Sequence, residues 1–98
     1  MILQDDLIQL RLKIDEVDAR LIQDLAERLE LVKLVGQLKK KMEMTALQPQ
    51  RWQIVLEKNI AQGQKKNLGV EFVTDIWERI HREALEIETQ EIEKMSHD

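Results

Sequence analysis

From Leu3 to about Lys41 the chain has no proline and one glycine, Gly36. It is dominated there by Leu, Lys, Arg, Glu, Gln and Ala, which enter a helix at little cost. One unbroken helix of that length runs about 57 Å at about 1.5 Å per residue. A compact domain of 98 residues has a radius of gyration of about 13 Å and a diameter of only about 30 to 35 Å. Apolar residues recur along nearly the whole run. A single copy cannot cover such a rod, so the geometry predicts a homodimer in which a second chain buries what the first leaves open, most economically about a twofold axis.

The rest of the chain reads as two shorter helices. Pro49, the only proline, suits a first helical turn, where its missing N–H is no loss and its fixed φ helps entry. The second helix is expected over about 49–62, with Trp52, Val55, Leu56 and Ile60 on its apolar side and Gly63 as its stop. After the loop at 63–69, a third helix over about 70–94 carries Phe72, Val73, Ile76, Trp77, Ile80, Ala84 and Ile87 at helical spacing. The polar end at 93–98 should fray. No stretch alternates as a strand does. The expectation is one all-α domain over residues 1–98, with three helices in an intertwined dimer.

Composition narrows the function classes. Without cysteine there is no disulfide, thiolate metal site or cysteine nucleophile. The formal net charge is -4, and the basic clusters at 39–41 and 64–66 lack interleaved aromatics, so nucleic acid is not the expected partner. The apolar groups are too broken to span a bilayer, and the amino terminus does not read as a secretory leader. A soluble protein in the cytoplasm is the default expectation.

Steps of four and three from Leu7 trace a stripe through Arg11, Ile14, Asp18, Leu21, Leu25, Arg28, Val32, Val35 and Lys39. The aliphatic members mark it as packed against other helices, yet four members are ionisable and three of those are cations. Removing a guanidinium from water costs several kcal/mol unless an anion and hydrogen bonds replace the solvent. Two readings follow. The charges set the register of a helix bundle, or snorkel from it on long stems. Alternatively, Arg11, Arg28 and Lys39, with Arg51 from the second helix, await a small polyanion. Arginine's planar fork suits carboxylates in particular.

The spacing of Leu10, Arg11, Lys13, Ile14, Asp15, Asp18, Leu21, Leu25, Arg28, Leu31, Gly36 and Lys39, followed by the stretches at 47–52 and 72–90, resembles the all-helical chorismate mutase family over nearly the whole chain. The resemblance implies an intertwined dimer whose long first helices pair, with one arginine of each active site supplied by the opposite protomer. By position, Arg11 is similar to the arginine that crosses to a substrate carboxylate, and Arg28 to the one that holds a carboxylate within the protomer. Lys39 matches the lysine that donates to the ether oxygen and a carboxylate, and Arg51 a further arginine near the substrate. Glu88 stands where the family has Gln or, in some members, Glu, facing the same ether oxygen. Gln48 replaces a frequent acid, Trp52 a frequent hydroxyl-binding Glu, and Ala84 a frequent Ser, so Gln48 becomes the candidate for the hydroxyl. The stretch Leu47 to Trp52 resembles a branch fused to 3-deoxy-D-arabino-heptulosonate 7-phosphate synthase, which starts the shikimate pathway.

The implied reaction is the intramolecular rearrangement of chorismate to prephenate, in phenylalanine and tyrosine biosynthesis. It needs no nucleophile, metal or cofactor, and positioning with electrostatics can supply the acceleration. Glu88 must be protonated to donate to the ether oxygen. Three alternatives stay open: an isochorismate pyruvate-lyase on the same fold, a non-catalytic helical dimerisation or metabolite-binding module, and a domain of a larger fused or associated enzyme. His81 has no second His or Cys at ligand spacing and reads as a helix-surface or interface residue. Trp52 and Trp77 read as packing. Gly36, inside a helix at a cost of about 1 kcal/mol against Ala, permits close approach of either another helix or the substrate.

Overall fold

The computed structural model describes residues 3–95. Three helices follow one another, α1 (Leu3–Lys41), α2 (Pro49–Lys65) and α3 (Val70–Glu93), and no strand occurs among the described residues. Half of the polar end expected to fray, residues 96–98, lies outside the described residues. The chain divides into two compact units, Met1–Leu31 and Val32–Asp98.

The first unit is the amino-terminal part of α1. Asp5 and Asp6 lie in its first turn, where carboxylates complement the positive end of the helix dipole. Its apolar stripe is uncovered within the chain: Leu7, Ile14, Leu21 and Leu25 are all exposed.

The second unit joins the last turns of α1 to α2 and α3. α1 ends in Lys39, Lys40 and Lys41, cations suited to the negative end of the dipole. Its last carbonyls are closed by a two-bond cap: Met44 N–H donates to Lys39 O at 2.9 Å and Glu43 N–H to Lys40 O at 3.2 Å, with Glu43 in the left-handed region at φ 57. α2 opens on Pro49, after Gln48 as its cap residue.

The end of α2 departs from the sequence expectation. The helix runs through Gly63 to Lys65, and the left-handed cap position is Asn67 at φ 63, with Leu68 N–H donating to Gly63 O at 2.8 Å and Asn67 N–H to Gln64 O at 3.2 Å. Gly63 is helical for a packing reason. A Cβ at that position would stand 2.7 Å from Val73 Cγ2, so the bare backbone lets α2 and α3 touch. Val73 and Ala84 are the buried apolar side chains among the described residues, and Phe72 and Ile76 of the expected α3 face are exposed.

Gly36 resolves in the same way. A Cβ there would lie 3.0 Å from Glu88 Cα, 3.1 Å from Glu91 Cβ and 3.4 Å from Glu88 O. Of the two uses open to it, the glycine serves the close approach of a helix, α3.

Candidate active site

The contact at Gly36 brings Lys39 to Glu88. Lys39 lies three residues beyond Gly36 on the helix, one turn along the same side, and its Nζ reaches 2.6 Å from Glu88 Oε1. Both side chains are largely withdrawn from solvent, at 15% and 11% exposed. The contact is an ion pair. Glu88 Oε1 is buried beside a cation and still lacks a hydrogen-bond partner. Lys39 places its hydrogen bond elsewhere, donating to Ala46 O in the α1–α2 loop at 2.7 Å.

A cation and a carboxylate brought together away from solvent form a site that a polar atom of a ligand can enter.

The remaining candidates are placed as follows. Arg51 is exposed on the first turn of α2, where it lines an open depression with Gln48, Pro49, Gln50 and Ile54. Gln48 is half-buried and its Nε2 donates to Thr45 O at 3.0 Å, which leaves its amide oxygen available to a ligand hydroxyl. In the first unit, Arg11 is exposed and Arg28 half-buried. Arg28 Nη1 is buried with no hydrogen-bond partner among the described residues. Neither Arg11 nor Arg51 has an ion-pair partner among them.

Trp52 is half-buried, its ring stacked on that of His81 with centroids 3.9 Å apart and planes 8° from parallel. The two residues come from α2 and α3, so the stack adds an aromatic contact between those helices. Trp77 Nε1 is a buried donor without a partner. No group of three or more His, Cys, Asp or Glu among the described residues could hold a metal ion, and none of their helices is long and apolar enough to cross a membrane.

One pair is not apparent from the sequence. Gln37 Nε2 donates to Glu91 Oε1 at 2.9 Å, and Lys94 pairs with Glu91 Oε2. Glu91 is 3% exposed. The Lys94 ammonium, then the Gln37 amide, hold its carboxyl below the usual carboxylate range. The only signal in the sequence is weak: Glu91 lies three residues past Glu88, on the same side of α3.

A family model described as Chorismate mutase type II matches residues 10–89. The T-protein of Haemophilus influenzae is 32% identical over 90 residues, covering 92% of this chain and 24% of that protein. The bifunctional chorismate mutase/prephenate dehydratase of Buchnera aphidicola subsp. Schizaphis graminum is 28% identical over 95 residues, covering 97% of this chain and 25% of that protein. The chain thus spans about a quarter of the length of these curated relatives. Neither is named for 3-deoxy-D-arabino-heptulosonate 7-phosphate synthase, so the matches support the family and not that branch. No solved structure matches the chain with significance.

Proposed function

The chain belongs to the chorismate mutase type II family, and from that premise we propose that it rearranges chorismate to prephenate in aromatic amino acid biosynthesis. The observation that carries the mechanism is the buried Lys39–Glu88 contact at 2.6 Å, in which Glu88 Oε1 has no hydrogen bond. In the reaction a carbon–oxygen bond breaks as a carbon–carbon bond forms, and negative charge develops on the ether oxygen. That oxygen takes the place that Lys39 and Glu88 now give each other. The Lys39–Glu88 contact opens as the ligand enters; the Lys39 ammonium then donates to the ether oxygen, and Glu88 does so once it has taken up a proton from solvent.

Arg11 and Arg28 hold the two carboxylates and select the compact, reactive conformer. Arg28 Nη1, buried and unpartnered, is a donor ready for an anion. Arg51 adds positive potential at the start of α2, and Gln48 accepts from the ring hydroxyl through its free amide oxygen. Arg11 acts from a second copy of the chain. The exposure of Leu7, Ile14, Leu21 and Leu25 supports that dimer, and so does a core in which Val73 and Ala84 are the buried apolar side chains among the described residues. Fusion to, or association with, another shikimate-pathway enzyme is the wider arrangement; the bifunctional relative's name joins the mutase to a dehydratase, and the wording of residues 47–52 favours the synthase branch.

The test is loss of chorismate absorbance with the purified chain beside Arg28→Ala, with prephenate identified by its acid conversion to phenylpyruvate. Turnover that disappears in the variant supports the reading. A folded dimer that turns over no chorismate refutes it and makes isochorismate the next substrate. Glu88 donates only while it carries a proton. Glu88→Gln, a permanent donor, should keep kcat at or above the parent's, and Glu88→Leu should lose it; a Glu88→Leu variant with the parent's kcat removes Glu88 from the mechanism.

A further inference from the structure

The Gln37–Glu91 pair has no part in the reaction described above, yet it sits at the same helix contact. On α1, Gln37 and Lys39 flank Gly36 on opposite sides, since successive helical residues are turned by about 100°. On α3, Glu88 and Glu91 lie one turn apart on one side, and the position of a Cβ on Gly36 is within 3.1 Å of atoms of both. Two polar pairs therefore straddle one glycine: Lys39 with Glu88, and Gln37 with Glu91.

Stability alone does not require an acid at position 91. Apolar side chains of similar volume serve a buried site as well as a buried charge or better. A directed hydrogen bond between one residue of α1 and one of α3 adds something that apolar contact does not, because it resists sliding and rotation of the two helices. Gly36 sets how close they come, and the Gln37–Glu91 bond sets their register.

We propose that Gln37 and Glu91 are positioning residues, a clasp that fixes the last turns of α1 against α3 so that Lys39 and Glu88 face one ligand oxygen at the working separation. This rests on the reading of Lys39 and Glu88 given above. Lys94 belongs to the clasp because it holds the second oxygen of Glu91 and so orients the first toward Gln37.

The experiment uses the full chain in three variants, each shown to be folded by circular dichroism at the assay temperature. Gln37→Glu sets two carboxylates against each other. The exchange Gln37→Glu with Glu91→Gln restores an amide–carboxylate bond with its polarity reversed, and Lys39→Ala reports on the catalytic pair itself. In Gln37→Glu, kcat should fall on the order of tenfold to a hundredfold, the scale of a displacement near 1 Å, with KM little changed. The exchange variant should recover most of that loss. Crystal structures should show the Lys39–Glu88 separation lengthened from 2.6 Å in Gln37→Glu and restored in the exchange. If Gln37→Glu does not fold, Gln37→Leu, which removes the donor without adding charge, should show the same loss in kcat.

A folded Gln37→Glu with the parent's kcat, beside an inactive Lys39→Ala, overturns the clasp and leaves the catalytic reading intact. An exchange variant that regains melting temperature but not kcat also overturns it, because the bond then serves stability alone. If Lys39→Ala turns over chorismate as the parent does, the catalytic reading fails and the clasp falls with it.

Discussion

Gly36→Ala sets two effects of known sign against each other. Inside a helix, Ala is favoured over Gly by about 1 kcal/mol, so on propensity alone the variant is more stable. The new methyl would lie 3.0 Å from Glu88 Cα and 3.1 Å from Glu91 Cβ, whereas carbon atoms pack at about 3.5–4.0 Å. The nearer atom is backbone and cannot turn aside, so α3 must back away by about half an ångström, and overpacking of this kind costs about 1–3 kcal/mol. The balance is a net loss of roughly 0–2 kcal/mol. In a domain of this size about 1 kcal/mol moves Tm by about 4–8 °C, so Tm should fall by as much as about 15 °C. Displacing Glu88 by half an ångström should also lower kcat by about tenfold, given that about 1 Å costs about a hundredfold. Calorimetry and chorismate consumption read the two effects separately. A variant whose Tm rises by several degrees, with kcat unchanged, would show propensity gained without opposition and would refute the close approach as the reason for this glycine.

Three further outcomes follow from the same contacts. Glu88→Leu strands Lys39 and should cost about 3–5 kcal/mol, whereas Lys39→Met with Glu88→Leu should be neutral or stabilising by about 1–4 kcal/mol and inactive; in urea unfolding, a double variant no more stable than the single would show that the two charges are uncoupled. Because the Glu91 carboxyl is held below its ordinary range, its contribution to stability is full above that range and lost as pH falls through the lowered value. Thermal melts should therefore decline on acidification more steeply for the parent than for Glu91→Gln, and parallel curves would contradict the assignment. Glu43 occupies a left-handed conformation at φ 57 that costs an L-residue about 1–2 kcal/mol, partly offset by the chain entropy of glycine. Glu43→Gly should raise Tm by a few degrees, and a fall would show that the Glu43 side chain makes a compensating contact.

What the sequence revealed and what it hid divide by range. Propensity is local, and the starts of α1, α2 and α3 are legible from Leu3, Pro49 and Val70 because nothing distant is needed to begin a helix there. Gly63 misleads because the same residue type serves a helix stop and a helix–helix contact. Only the position of Val73, ten residues along the chain, decides between them. Lys39 and Glu88 could be singled out together because a family pattern links them, but their contact depends on a third residue, Gly36. Glu91 was hidden for the opposite reason. In an acidic chain, one more glutamate near a helix end looks like solvated surface, and its burial depends on Gln37 and Lys94, neither of which stands out alone. Arg11 and Arg28 are legible as misfits in an apolar stripe, since a cation there conflicts with its neighbours whatever its partner is.

The bond from Lys39 to Ala46 O has a consequence for how relatives of this chain can diverge. It recruits a backbone carbonyl, which every amino acid supplies, so position 46 can drift freely in sequence while the Lys39 ammonium keeps its anchor. Length is another matter. An insertion or deletion between Met42 and Leu47 moves the carbonyl itself and frees a side chain that can carry about 2 kcal/mol of rotamer entropy. Natural variation in this loop should therefore appear as substitution at nearly constant length.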